Sequence, residues 1–307
     1  MNCEEILSIF PNYIRGLLKE WNVDMECLRE IRIRAGRQVL VLCGDREYVS
    51  RNTVTAEQVQ ETLAYLGNYS LYAYEDEIRQ GFLSLPGGHR VGLAGKGVIE
   101  NRSIRTMREI SSMNIRFAHE VKGCSEELLP FLWTDSGLLH TLIASAPGHG
   151  KTTLLRDCIR RISDGDSRHR GMTVGVVDER SEIAGSFRGL PGNDVGMRTD
   201  VLDTCPKAEG MMMLIRSMAP EVIAVDEIGS REELIAMQYA MNCGCVVLAT
   251  VHGGSMEELM VKPVLREMIE GKLFERYAFL QPGRTPGRLG QILDAEGQIL
   301  WQREPVC

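Results

Sequence analysis

No stretch of this chain reaches the roughly 18 consecutive apolar residues that a membrane-spanning helix needs, so any attachment to a membrane would have to go through a partner. The start, Met1-Asn2-Cys3-Glu4-Glu5, has neither the basic nor the apolar character of a secretory signal peptide. No CxxC pair occurs among the nine cysteines, and Cys3, Cys27, Cys43, Cys124 and Cys307 are scattered along the chain. Such usage fits a reducing cytoplasm rather than a disulfide framework. Cys243-Gly244-Cys245 is the one close pair; it lies where a helical pattern gives way to an apolar strand, which favours buried thiols over a redox or metal site. Positive charge is not in excess: 35 Lys and Arg against 42 Asp and Glu leave a net charge of −7. A nucleic-acid partner therefore has no global basic footprint and is not expected. Disorder is excluded as well, because 44% of the 307 residues are hydrophobic and 25% are charged, ordinary globular material for about two domains.

What is present concentrates between residues 138 and 253. An apolar run over 138–144 leads into Ser145-Ala146-Pro147-Gly148-His149-Gly150-Lys151-Thr152-Thr153, and helical periodicity follows over 153–162. Strand, glycine-bearing loop and helix start are the context of a P-loop, which turns successive backbone N–H groups toward a phosphate chain at a helix N-terminus. Lys151 would reach the β- and γ-phosphates, and the Thr152 hydroxyl would ligate Mg²⁺. The signature is Gly, any four residues, then Gly-Lys-Ser/Thr, and Ser145 stands where the first glycine belongs. Gly148 and Gly150 still allow backbone to approach phosphate closely, having no Cβ to obstruct it. An ordinary glycine turn is the plainer alternative, and it leaves the acidic partner motif below without a reason.

Past a junction near Glu120 the pattern alternates: helix over 125–133, strand over 138–144, the P-loop helix, strand over 173–177, helix over 210–219, strand over 221–225, helix over 232–243 and strand over 245–251. This predicts an α/β core with a mostly parallel sheet, whose ligands sit at the carboxyl ends of the strands. Three polar clusters fall at such ends. Asp178-Glu179-Arg180-Ser181-Glu182 would hold Mg²⁺ through water or polarise an attacking water, with Glu179 a catalytic candidate; a merely solvated loop is the alternative. Val222-Ile223-Ala224-Val225-Asp226-Glu227 is an apolar strand ending in two carboxylates, the Walker B arrangement, in which Asp226 contacts Mg²⁺ and Glu227 activates water. Ala249-Thr250-Val251-His252-Gly253 places Thr250 and His252 where they would sense the γ-phosphate, against the plainer reading of a core histidine.

The first 119 residues predict a smaller α+β domain, 1–119, ahead of an ATPase domain, 120–307. Two short helices come first, then a half-exposed hairpin in which Arg29, Arg32, Arg34 and Arg37 either line a polyanion site or form a salt-bridged face. Thr55 and Gln58 predict a capping box before an amphipathic helix. Tyr69, Tyr72 and Tyr74 read as packing residues. Twisted antiparallel strands follow, with Arg90, Arg105, Arg108 and Arg116 projecting from one side. Arg90, Arg105 and Arg116 are candidate arginine fingers, delivered to a triphosphate from a neighbouring domain or subunit; surface ion pairs are the alternative. In the second half, 186–204 reads as a mobile or interface loop, Met211-Met212-Met213 as helix core, 256–270 as one helix, 274–280 as a strand and 289–301 as a hairpin about Glu296-Gly297.

These motifs together resemble the RecA-like ATPases that power type II secretion and type IV pili, and within them a branch that serves sporulation in endospore-forming bacteria. The likeness rests on Gly150-Lys151-Thr152-Thr153-Leu154-Leu155-Arg156-Asp157, Val177-Asp178-Glu179-Arg180-Ser181-Glu182-Ile183, Asp226-Glu227-Ile228-Gly229 and Thr250-Val251-His252-Gly253, and the arginine-bearing strands extend it over most of the chain. By that resemblance Asp178-Glu179 corresponds to the Asp box and His252 to the His box. Ser145 departs from the usual first glycine, and Asp226 stands where many secretion ATPases have glycine. The resemblance implies a RecA-like P-loop core, ATP and Mg²⁺ as cofactors, and a homo-oligomer, a hexamer by family habit. It also implies a cytoplasmic protein of the mother cell, peripheral to the membrane through membrane-embedded sporulation channel proteins that link mother cell and forespore. A nucleic-acid-dependent RecA-like ATPase, with the arginine strand lining a channel, and a scaffold that binds ATP without turnover remain alternatives.

Overall fold

The computed structural model describes residues 3–69, 74–100, 103–118, 120–283 and 285–304. The chain divides into two compact units, 1–119 together with 185–192, and 120–184 together with 193–307.

In the first unit, α1 (Cys3–Ser8) and α2 (Asn12–Glu20) bury Ile6, Ile14 and Leu18, as their apolar spacing predicts. The alternating hairpin is β1 (Leu28–Arg34) paired antiparallel with β2 (Gln38–Cys43); Leu28, Ile31 and Ile33 are buried and the arginines between them are not. Arg32 pairs with Glu30 on its own strand, the salt-bridged form of that face. An edge strand, β3 (Arg46–Thr53), extends the hairpin although its sequence is nearly all polar, and Ser50 alone on it is buried. The capping box opens α3 (Ala56–Leu66): the Gln58 N–H donates to Thr55 Oγ1 at 3.2 Å and the Thr55 N–H to Gln58 Oε1 at 2.9 Å.

After α4 (Glu75–Arg79), strands β4 (Phe82–Leu85), β5 (His89–Glu100) and β6 (Ser103–Arg116) complete an antiparallel sheet in the order β3-β2-β1-β6-β5-β4. The tyrosines read as packing residues do not share one environment: Tyr74 is buried, Tyr69 is exposed, and Tyr72 lies outside the described residues. Nor do the arginines form one row. Arg90 and Arg116 stand opposite each other in register, the Arg90 guanidinium 3.8 Å from the Phe82 ring centroid. Arg105 precedes Arg116 by eleven residues on β6 and pairs with Glu100 at 3.3 Å. An extended strand spans about 3.3 Å per residue, so Arg105 and Arg116 are roughly 35 Å apart and cannot serve one triphosphate together.

The second unit carries the α/β core. Its first helix, α5 (Leu129–Leu132), is shorter than the sequence predicts, because Ser125 is tied to Asp157 instead of capping it: the Ser125 N–H and hydroxyl donate to Asp157 Oδ2 at 2.9 and 2.7 Å. A small hairpin, β7 (Trp133–Thr134) with β8 (Gly137–Leu138), then delays the buried strand β9 (Thr141–Ser145). The alternation continues with α6 (Lys151–Asp164), β10 (Val174–Asp178), β11 (Thr199–Asp203), α7 (Lys207–Met218), β12 (Val222–Val225), α8 (Arg231–Asn242) and β13 (Val246–His252). The last part is α9 (Met256–Val261), α10 (Pro263–Glu270), β14 (Arg276–Leu280), β15 (Leu289–Asp294) and β16 (Ile299–Gln302). The sheet order is β11-β10-β12-β13-β9-β14-β15-β16, parallel from β11 to β14, with β15 and β16 added antiparallel. β9 therefore lies centrally, and β12 and β13 end beside it at the same edge.

Four expectations need correction. The segment read as a loop over 186–204 contains β11, whose alternating Val201 is only half-buried at the sheet edge and so gives a weak signal. The helix over 256–270 is two helices, because Pro263 lacks an N–H and opens α10 instead of continuing α9. Met211 is core, but Met213 is 53% exposed. Of the close cysteine pair, Cys245 is buried and Cys243 is exposed, since the turn between α8 and β13 leaves the first outside the sheet. Where α7 lies against β10, a Cβ added at Gly210 would come within 2.5 Å of Val177 Cγ1. Gly210→Ala is therefore expected to destabilise the second unit by about 1–3 kcal/mol, read as a lowered midpoint in urea unfolding followed by fluorescence.

Candidate functional site

The loop between β9 and α6 is shaped by two left-handed glycines, Gly148 at φ 79° and Gly150 at φ 88°. Gly150 has no substitute: a Cβ there would lie 2.4 Å from the Gly287 nitrogen, whose N–H donates to the His149 carbonyl at 2.9 Å. Ser145 is the last residue of β9, is fully buried, and has no positive φ, so it does not need glycine's freedom. This accounts for the departure from the usual signature. The N-terminus of α6 has no side-chain cap, which leaves its first N–H groups for an anion. Around Gly148 the space is open, with nothing within 4 Å of an added Cβ. These features form a cradle suited to a phosphate chain.

Lys151, the first residue of α6, is buried and directs Nζ to the Ser145 carbonyl at 3.2 Å and to His252 Nδ1 at 3.0 Å. Burial pushes its ammonium below the usual value, against the pull of Asp226 and Glu227. His252 Nε2 lies 2.8 Å from Glu227 Oε1, and Arg180 Nη1 donates to Glu227 Oε2 at 3.0 Å. Lys151, His252, Glu227 and Arg180 thus form one continuous polar chain. Beside it the Thr152 hydroxyl donates to Asp226 Oδ2 at 2.6 Å. A hydroxyl and a carboxylate oxygen in contact are the hard oxygen donors that Mg²⁺ takes.

The register of the parallel strands fixes this arrangement. Val225 pairs with Ala249, so Asp226 comes beside Thr250, and His252 pairs with Ser145 at the start of the P-loop. Thr250 is fully buried; its hydroxyl donates to Asp226 Oδ1 and accepts the Glu227 N–H at 2.9 Å. Glu227 has a left-handed backbone at φ 52°. For a residue with a Cβ that conformation costs about 1–2 kcal/mol, so its neighbours must hold it.

Asp178 departs from its expected role. It is buried and spends both carboxylate oxygens on loop amides, accepting from the N–H groups of Glu182 at 2.8 Å, Ile183 at 3.0 Å and Ala184 at 2.8 Å. Burial pushes its pKa up to about 6, while those N–H groups pull the other way. Arg156, buried on α6, grips the same loop from its carbonyls, at Ile183 and at Glu182, the latter at 2.6 Å. Glu179 is brought to the site's edge, paired with Lys207 at 3.0 Å, and lines one pocket with Asp226 and Glu227. Sequence reasoning missed Lys207, Arg156 and the Arg180 contact. The sequence pattern began that helix at residue 210, three residues past Lys207, and nothing in it marks a buried cation.

The mostly parallel sheet with its P-loop strand at the centre, together with a smaller α+β unit in the same chain, defines a RecA-like P-loop fold. Among solved structures the chain is similar to the Legionella pneumophila ATPase DotB, with a TM-score of 0.61 and 14% identity over 93% of this chain and 81% of that one. It is also similar to the pilus retraction motor PilT with bound ADP, with a TM-score of 0.57 and 13% identity over 87% and 78%. Residues 1–300 match the model of the family Sporulation stage III, protein AA, and the chain belongs to that family. It is 44% identical to the stage III sporulation protein AA of Bacillus subtilis over 96% of each chain.

Two outcomes test the local geometry. Ser145→Gly is expected to leave affinity for a fluorescent ATP analogue within about twofold, since an extended strand end gains nothing from glycine. Asp178→Asn turns an amide NH₂ toward loop N–H groups, and the mismatch is expected to cost about 1–3 kcal/mol, read as faster amide hydrogen exchange over 182–184.

Proposed function

We propose that this chain binds ATP with Mg²⁺ and hydrolyses it, as the motor of a membrane-associated sporulation machine. The observation that carries the reading is the contact of Thr152 with Asp226 at 2.6 Å, with Glu227 next in sequence and bonded to His252. In this reading the loop amides from Gly148 to Thr153 and the Lys151 ammonium bind the phosphates. Mg²⁺, held by Thr152 and Asp226, supplies charge neutralisation on the phosphoryl group. Glu227 takes the proton of the attacking water, for which its carboxylate must leave Arg180 or share it. His252, between Lys151 and Glu227, reports which of them faces phosphate. Glu179 sits at the edge of the same pocket, where it would orient water.

An arginine from another unit or subunit completes the site, and Arg90 and Arg116 are the pair that can act together, with Arg105 a separate candidate. Hydrolysis then moves the first unit, 1–119 with 185–192, against the second, 120–184 with 193–307. In this reading the chain works as a homo-oligomer, a hexamer, docked on membrane-embedded channel proteins between mother cell and forespore; the sporulation family and the ATPase and motor titles of the structural relatives support the motor part of it. Among the described residues no helix is long and apolar enough to cross a membrane, and the location we propose is the mother-cell cytoplasm, with attachment through partners.

Glu227→Gln is expected to lower steady-state phosphate release by about a hundredfold or more while ATP still binds. Lys151→Ala is expected to weaken binding by roughly tenfold or more as well, because the phosphates lose a buried cation. Undiminished phosphate release in both variants would sink the proposal.

A further inference from the structure

Lys207 has no place in the P-loop, the acidic strand end or the histidine edge, yet it is 9% exposed beside them. It is the first residue of α7, a position where the helix dipole disfavours a cation. Burial adds a second penalty. Both are offset by a ring of acceptors around one ammonium: Glu179 Oε2 at 3.0 Å, Glu233 Oε1 at 3.1 Å and the Glu227 carbonyl at 2.9 Å. Burial lowers the affinity of Lys207 for its proton, but Glu179 and Glu233 outweigh it and hold the group charged. Glu233 is itself committed to the N-terminus of α8, where its Oε2 accepts the N–H groups of Gly229 at 2.7 Å and Ser230 at 2.9 Å. The cation is thereby anchored to α8 and spends its third donor on the backbone of Glu227. Rules of helix placement are broken here at a site, which is where such breaks have functional reasons.

The Glu227 peptide is held from several sides. Its N–H donates to the Thr250 hydroxyl at 2.9 Å, the next N–H, of Ile228, to the Thr250 carbonyl at 2.9 Å, and its carbonyl accepts from Lys207. Thr250 fixes the amides, and Lys207 fixes the carbonyl. We propose that Lys207 is the positioning residue that keeps Glu227 in its left-handed turn, and so aims the Glu227 carboxylate. The inference rests on the hydrolytic reading above. Without the ammonium the peptide can rotate toward the common right-handed or extended conformations, carrying the side chain away from the phosphate edge. That rotation costs His252 its Glu227 partner, but the P-loop, on β9 and α6, keeps its own contacts, Lys151 to the Ser145 carbonyl among them. Loss of Lys207 therefore separates binding from turnover.

The test compares full-length wild type with Lys207→Met and Lys207→Arg, measuring phosphate release per bound nucleotide, KM for ATP, and stoichiometry with a fluorescent ATP analogue. Lys207→Met is expected to reduce kcat per bound nucleotide by about tenfold or more, with KM and analogue affinity within about threefold of wild type. Lys207→Arg, which keeps a cation for both acids, is expected to recover part of kcat. If Lys207→Met fails to fold, Lys207→Met/Glu233→Gln removes the unpaired buried charge and carries the same expectation, because glutamine still accepts the α8 amides. Wild-type kcat per bound nucleotide in either Met variant overturns the positioning role. A wild type that neither binds nor hydrolyses ATP overturns the hydrolytic reading first, and the inference with it.

Discussion

One buried hydroxyl, that of Thr250, holds the candidate site together. It donates to Asp226 and accepts from the N–H of Glu227, so both acids at the end of β12 are tied to a single oxygen on β13. The bond exists because the two strands are parallel and paired Val225 to Ala249, which carries the next residues of each side by side. Because Thr250 is fully buried, an unmade bond at this oxygen would leave a carboxylate and a backbone amide without their donor and acceptor, a loss beyond that of a surface contact. Core packing above the site serves the same end: Ile223, Val225, Val247 and Ala249 are all buried and fix the register of the strands that bring Asp226 to Thr250.

Opposite charges are interleaved here with little slack. Lys151 meets His252, His252 meets Glu227, Glu227 meets Arg180, and Lys207 lies under the same turn between Glu179 and Glu233. Each cation has acidic or carbonyl neighbours that a highly charged ligand would have to replace. A phosphate chain entering this network exchanges partners instead of filling an empty basic pocket. A phosphate site in a protein of net charge −7 would draw its attraction locally, from helix-end amides and Lys151, and owe nothing to the overall field.

The parts that were legible in the sequence are those whose signal is local. Glycine spacing placed the P-loop, apolar runs placed the parallel strands, and Thr55 with Gln58 placed a cap that the structure reproduces bond for bond. The motifs at the strand ends were legible because a parallel sheet sends consecutive carboxyl ends to one edge. What stayed hidden depends on partners far away in the chain. Asp178 looks like a metal ligand beside Glu179, yet its oxygens are consumed by amides four to six residues on. Lys207 acquires its meaning only when Glu179, after β10, and Glu227 and Glu233, after β12 and in the first turn of α8, converge on it. β3 and β11 lie at sheet edges, where one face is wet and alternation fades, so polar composition masks them.

The assignment of Gly185–Gly192 to the first unit changes what kind of joint links the halves of the molecule. The chain passes between the units at 119/120, at 184/185 and again at 192/193, so three covalent threads, not one, connect them. The second thread leaves directly from the loop gripped by Asp178 and Arg156, and Phe187, a few residues on, packs into the core of the first unit. A single cut near Glu120 would not yield two independent pieces, because the larger one would keep a short segment whose apolar anchor belongs to the other core. The same braid means that neither half can be exchanged for a foreign counterpart by a simple fusion.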